Sequence, residues 1–167
     1  MRDLFCTAKN IKTILKRLVV AAAILHSSLF ILNSQAATLE GKVTKVSDGD
    51  TIWVGRVKIR LDRIDAPESD QEYGKESAKH LRDLILGKDV KVEYEKRDRY
   101  GRVVGLVYLG GKDVNLEMVA TGNAWHYSHF DKTPAYAEAQ KSAREQNLGL
   151  WENPNPINPF EWRKMKR

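Results

Sequence analysis

The sequence predicts a mainly β, α+β domain: a small five-stranded barrel with about three helices packed outside it. Five short runs rich in β-branched residues lie between Thr38 and Leu109, each bounded by Gly, Pro or Asp turn signals. One amphipathic helix interrupts them, and two further helical stretches follow the last run.

Thr38–Ser47 alternates Leu39, Val43 and Val46 with polar residues, and Asp48-Gly49 turns it into the β-rich Thr51–Val54. Gly55-Arg56 leads into Val57–Ile64, where Val57, Ile59 and Leu61 face one way with Asp65, and Lys58, Arg60 and Asp62 face the other. Pro67 ends that strand. In Tyr73–Leu86, Ala78, Leu81, Leu84 and Ile85 make a helical stripe that Gly87 stops. Val90–Tyr94 and Val103–Leu109 are strands joined by the charged loop Lys96–Arg102. Val114–Ala120 is a short helix closed by Gly122, and Pro134–Asn147 is an amphipathic one. Asn153–Pro159, with three prolines and three asparagines, is an extended tail, and the basic residues behind it make a solvated end. This layout is that of an oligonucleotide-binding (OB-type) barrel, and a sandwich with added helices fits the pattern nearly as well.

Residues 1–36 stand apart. Five basic residues and one acid precede the apolar run Leu18–Leu32, and small residues follow at Ser34 and Ala36. Charged, apolar and small-residue regions in that order predict a secretory signal cut after about Ala36. An uncleaved anchor fits less well, because the run is shorter than the ~20 residues of a spanning helix and His26, Ser27 and Ser28 interrupt it. The organisation expected is therefore signal peptide 1–36, barrel domain 37–152 and tail 153–167, with the product periplasmic or secreted and without a stable membrane anchor.

Cleavage changes the charge argument. The 167-residue chain holds 28 basic and 22 acidic residues, a net of +6, whereas residues 37–167 hold 23 and 21, a net of +2. Bulk charge therefore gives no case for a polyanionic partner, and local placement must carry it. The lone Cys6 also leaves with the signal. No disulfide remains, and the domain depends on its hydrophobic core.

Three clusters put charge beside turns: Asp48-Gly49-Asp50-Thr51, Arg60 to Glu68 (RLDRIDAPE) and Asp98-Arg99-Tyr100-Gly101-Arg102. Each alone suits an ordinary turn, a solvated strand face or a polar hairpin loop. Together they place two hard carboxylates, Asp50 and Asp65, at the ends of neighbouring strands, with the carbonyl of Ala66 as a third oxygen. Such a partial cage suits Ca²⁺, which takes oxygen ligands in irregular geometry and keeps several waters. Zinc suits it less, since no cysteine is available and the histidines lie far off in sequence. Arg60 and Arg102 supply forked donors for phosphate oxygens, and Glu68 is a carboxylate able to accept a proton from water.

These three stretches, in this order and spacing, resemble the signature stretches of the staphylococcal nuclease (thermonuclease) family, and the resemblance spans roughly Thr38–Trp151. It implies an OB-type barrel with three helices and Ca²⁺-dependent cleavage of DNA and RNA to products ending in 3′-phosphates. It further implies that Asp50, Asp65 and the main chain of Ala66 bind the ion, that Arg60 and Arg102 hold the scissile phosphate, and that Glu68 acts on the attacking water. The best-known family member carries threonine where this chain has Ala66, and a basic surface loop is shortened here between Glu68 and Tyr73.

Arg99, Tyr100 and Tyr127 are candidate substrate contacts, the tyrosines as surfaces against a nucleotide. His126 and His129 form a His-x-x-His pair without an evident third ligand, and Trp125, Trp151 and Trp162 are core or tail anchors. The expected activity is that of a monomeric nuclease acting on DNA or RNA. The alternative is a non-catalytic nucleic-acid-binding module of the same fold. Asp50, Asp65 and Glu68 argue against it, because carboxylates repel phosphate unless a cation lies between.

Overall fold

β1 (Ala37–Asp48) is the longest strand, and it serves two partners. Its first half pairs antiparallel with β5 (Asp89–Arg97) and its second half with β2 (Thr51–Val54). Register shifts between Val43 and Lys45 and between Val46 and Asp48 bend it around the corner, as bulges do. The computed structural model describes residues 37–166, so the expected signal at 1–36 lies outside the described residues.

β2 pairs with β3 (Val57–Leu61), and β5 pairs with β6 (Val103–Leu109), which hands on to the two-residue β7 (Lys112–Asp113). A barrel of β1, β2, β3, β5 and β6 closes where β3 lies beside β6, with Ile59 opposite Val103 and Leu61 opposite Gly105. That closing pair is parallel, whereas the other pairs of the barrel are antiparallel. The interior is filled by branched side chains that alternate along each strand, among them Val43, Ile52, Ile59, Val92 and Val107, all buried.

The strand expected over Val57–Ile64 is broken after Leu61. Arg63 takes a left-handed φ of 66°, which turns the chain, and Ile64 and Asp65 restart as β4 against β8 (Trp125–His126). Strict alternation along one strand would have set Ile64 opposite to Asp65. The turn instead buries both.

α1 (Gly74–Ile85) seals one end of the barrel with Ala78, Leu81 and Ile85, and Gly87 stops it at φ 75°. α2 (Val114–Ala120) begins at Asp113, whose carboxylate accepts from Leu116 N at 3.0 Å. α3 (Pro134–Glu145) packs on α2 through Tyr136, whose hydroxyl donates to Asp113 Oδ2 at 2.7 Å. A 3₁₀ turn, Gly149–Glu152, buries Leu150 and Trp151.

Two expectations fail at the edges. β5 runs on to Arg97, so the expected Lys96–Arg102 loop contracts to the turn at Asp98–Arg102, closed by Asp98 N donating to Arg102 O at 2.9 Å. The basic end is not a solvated tail but a fourth helix, α4 (Pro159–Met165). Asn158 caps it by accepting from Phe160 N at 2.9 Å, and Pro159 occupies its first turn, the sequence order that starts a helix. Among the described residues no helix is long and apolar enough to cross a membrane.

Candidate active site

The site is built from two tight connections and one strand. Asp48 to Thr51 forms the turn between β1 and β2, and at Gly49 a Cβ would lie 1.9 Å from Ser77 Oγ and 2.7 Å from Ala66 Cβ. Only glycine lets the turn press onto α1 and onto the segment after β4. That contact brings Asp50 to Ala66: the main-chain N–H of Ala66 donates to Asp50 Oδ2 at 3.1 Å, and Thr51 Oγ1 donates to Oδ1 at 3.0 Å. Asp50 N in turn donates to Asp48 Oδ1 at 3.1 Å.

Arg60 projects from β3 at the position opposite Thr51 and joins the two acids expected to work together. Its Nη1 lies 2.7 Å from Asp50 Oδ2, and its Nη2 lies 2.9 Å from Asp65 Oδ1. Asp65 ends β4 with a side chain only 2% exposed. Glu68 lies three residues on, half-exposed, with its main-chain N–H held by Gln71 Oε1 at 3.1 Å. Asp50, Arg60, Asp65, Ala66 and Glu68 are thus gathered as the sequence predicts.

Burial, chiefly, and then the neighbouring Asp50 carboxylate push the Asp48 carboxyl up to about 6. Burial also raises Asp65 above the usual carboxylate range. There the desolvation outweighs the opposing pull of Arg163 and Arg60. The guanidinium of Arg163 loses something to burial, but its hydrogen bonds to Asp65 and Glu68 dominate and its pKa is raised.

Arg102 stands on the neighbouring edge, just before β6, and is held by Asp98. With Arg60 it lines a groove of about 470 Å³ whose other walls include Arg63, Tyr100, Tyr127 and Phe130. Tyr100 is exposed and lies beneath two guanidiniums, Arg99 at 4.9 Å and Arg102 at 5.5 Å from its ring centre. Arg99 also donates to the Tyr100 hydroxyl at 2.7 Å. Tyr127 meets Phe130 edge-on at 4.7 Å, and its hydroxyl pKa is raised by burial and then by the field of Asp65. The three candidate substrate contacts therefore share one basic, aromatic groove beside the acids. His126 and His129 do not form a pair: His126 Nε2 lies 2.9 Å from Asp131 Oδ2, while His129 packs on Phe130.

The donor set fits a hard cation. The carboxylate oxygens of Asp50 and Asp65 meet at the Arg60 fork, and both are hard donors, while the Ala66 main chain touches Asp50 through its N–H. Among the described residues no group of three acid, histidine or cysteine side chains forms a cage unaided, so any cation held by Asp50 and Asp65 would need further oxygens from main chain or water.

Two participants escape the sequence reading. Asp48, taken with its turn, is buried against Asp50, accepts from its main-chain N–H and is itself raised by burial and by that neighbour. Arg163, placed in a solvated tail, is bonded to Asp65 through Nη2 at 2.7 Å and Nη1 at 3.2 Å, and to Glu68 Oε1 through Nη1 at 2.7 Å. The run Asn158-Pro159, a cap followed by a first-turn proline, was the available signal for a helix there.

Residues 58–153 match the family described as staphylococcal nuclease homologue. An uncharacterized endonuclease of Escherichia coli is 44% identical over 135 residues, covering 78% of this chain and 88% of that protein. An uncharacterized endonuclease of Haemophilus influenzae is 40% identical over 131 residues, covering 75% and 74%. A micrococcal nuclease of Shigella flexneri is 39% identical over 166 residues, covering 90% and 93%. With the barrel, the paired acids on Arg60 and this match in agreement, the chain belongs to the staphylococcal nuclease homologue family.

Proposed function

We propose that this protein is an exported, Ca²⁺-dependent nuclease that hydrolyses phosphodiester bonds in DNA, RNA or both and leaves 3′-phosphate ends. The observation that carries the reading is the fork of Arg60, which reaches Asp50 and Asp65 at 2.7 and 2.9 Å and so places a phosphate-binding cation against the two acids. Relatives named as endonucleases and a micrococcal nuclease support the same chemistry. The leader-like residues 1–36 support export to a periplasm or the medium.

In this reading Asp50, Asp65 and the Ala66 carbonyl would hold the ion, which would supply positive charge beside the scissile phosphate. Arg60 and Arg102 donate N–H groups to its non-bridging oxygens as negative charge gathers there. Glu68 takes a proton from the attacking water. The water oxygen bonds to phosphorus, the bond from phosphorus to the 5′-oxygen breaks, and that oxygen leaves with a proton from solvent. The groove of Tyr100, Tyr127 and Phe130 gives the adjoining nucleotides faces to stack on.

The test is incubation of the purified protein with single-stranded DNA, duplex DNA and RNA, in Ca²⁺ or in a calcium-selective chelator. Cleavage in Ca²⁺ alone, with new 3′-phosphates, is expected, and Mg²⁺ should restore it poorly. Full activity in chelator would overturn the metal assignment. Tight binding without cleavage would make the protein a nucleic-acid-binding module.

A further inference from the structure

We propose that α4 is a built-in stopper: its Arg163 holds Asp65 and Glu68 when no divalent cation is bound, and cation binding releases it. The inference rests on the metal reading above.

Geometry comes first. Arg163 spans both oxygens of Asp65 and one of Glu68 at 2.7 to 3.2 Å, a forked contact of the kind guanidiniums make best. The same Asp65 is an expected ion ligand, and the same Glu68 the expected proton acceptor. A guanidinium lodged there and a divalent cation repel one another, so the two compete for one set of oxygens.

Charge balance agrees. Asp50, Asp65 and Glu68 bring three carboxylates against the one guanidinium of Arg60, with Asp48 beside Asp50, so the cluster favours a further cation. Arg163 supplies positive charge there until a divalent ion arrives.

The attachment of α4 is also suited to letting go. The helix has seven residues, too few to persist without support, and Pro159 is the residue it buries fully. Phe160 and Met165 stay exposed. Its remaining ties are polar: Trp162 Nε1 reaches Asp70 at 3.4 Å and Lys166 pairs with Asp70 at the surface, while the buried Gln71 donates through Nε2 to Ile157 O, in the link before the helix, at 2.7 Å. The link before it, residues 153–158, bends over residues 153–155, contains Pro154 and Pro156 and belongs to no helix or strand, so α4 joins the domain through a single irregular stem. The family match stops at residue 153, before α4.

The experiment is calorimetric titration of Ca²⁺ into the purified wild type, Arg163→Ala and Arg163→Lys, paired with amide hydrogen exchange over residues 159–165. Arg163→Ala should bind Ca²⁺ on the order of tenfold more tightly, because the competent form no longer has to be won from a closed one. Arg163→Lys, which keeps the charge without the fork, should fall between. In the wild type, saturating Ca²⁺ should strip protection from residues 159–165, and Trp162 emission should change. Equal Ca²⁺ affinity in all three proteins, or protection of α4 unchanged by Ca²⁺, would overturn the stopper while leaving the metal site intact. If none of the three binds Ca²⁺, the metal reading itself falls and the stopper falls with it.

Discussion

Asp98 holds Arg102 by two contacts at once: its Oδ2 accepts from Arg102 Nε at 2.7 Å and its Oδ1 accepts from the Arg102 main-chain N–H at 3.0 Å. Burial pulls the Asp98 carboxyl upward, but the Arg102 hydrogen bonds outweigh it, and its net pKa is lowered. With Nε committed to Asp98, the guanidinium keeps its outer N–H groups for a ligand in the groove.

That arrangement predicts how Arg102 variants behave. Arg102→Ala should lose on the order of 10²–10³ in kcat with a smaller change in KM, the size typical of one donor lost from a transition state. Arg102→Lys should recover little, since a point charge cannot satisfy Asp98 and a phosphate together. Asp98→Ala should show a milder loss of the same kind, through a guanidinium no longer aimed. Lys79→Ala, on an exposed ion pair of α1, is the control. Single-turnover cleavage at saturating substrate checks the set. Wild-type rates for Arg102→Ala there would reduce Arg102 to an anchor.

The Asp48-Gly49-Asp50 turn predicts a loss without touching a charge. Gly49→Ala forces a methyl group against Ser77 Oγ and Ala66 Cβ, so the turn must lift away from α1. Lifting it parts Asp50 from the Ala66 N–H. The variant should stay folded on the rest of its core, lose cation affinity at least tenfold, and cost about 1–3 kcal/mol of stability, as overpacked sites do. Calorimetric Ca²⁺ titration beside a urea melt checks both. Unchanged affinity would show that the turn tolerates the shift.

The parts of the site legible in the sequence are those where chemistry and turn type coincide within a few residues. Asp50, Asp65, Glu68 and Arg102 sit in such stretches, and the strands between them alternate cleanly enough to place. The break at Arg63 was not legible, because nothing in Leu61-Asp62-Arg63-Ile64 announces a left-handed residue as a glycine would. The parallel closure of β3 on β6 escaped for another reason: pairing of strands about 40 residues apart is decided by the barrel's closure and not by local pattern. Arg163 lies 98 residues from Asp65, and only tertiary folding could reveal that a basic tail ends on the acids.

Asn115 predicts the largest loss of stability. This buried side chain accepts from Val107 N at 3.1 Å through Oδ1, and its Nδ2 donates to the carbonyls of Asp62 and Gly105 at 2.9 and 3.1 Å. It therefore ties α2 to β6 and to the turn that breaks β3 from β4. Asn115→Ala takes the partner from the Val107 N–H and the Asp62 carbonyl, while Gly105 O keeps its bond from Asp62 N at 2.9 Å, and should cost about 2–4 kcal/mol. Asn115→Asp keeps one acceptor, loses both donors and buries a charge, and should do no better. Urea denaturation checks both, and a loss under 1 kcal/mol would show that water replaces the side chain.

Asp48 predicts the pH dependence of the cation-free fold. Its carboxyl rises from about 3.9 in an unfolded chain to about 6 in the folded one, through burial and the nearby Asp50. Between those values the folded protein keeps a proton that the unfolded chain has released. Stability contributed by this group must then fall as pH rises through that window and level off above it. Asp65, also raised by burial, acts in the same direction, so the wild-type curve alone does not isolate Asp48. Asp48→Asn does: the amide oxygen can still accept from Asp50 N, which the aspartate accepts at 3.1 Å, but nothing titrates. Urea melts in chelator from pH 4 to pH 7 should show the variant gaining on the wild type as pH rises. The gain should reach on the order of 1–3 kcal/mol near neutrality. Added Ca²⁺ should shrink the difference, since a cation beside Asp50 removes the penalty on a charged neighbour. A difference that stays constant across the pH range would show that Asp48 is ionised throughout and that the turn, not its titration, is what the residue contributes.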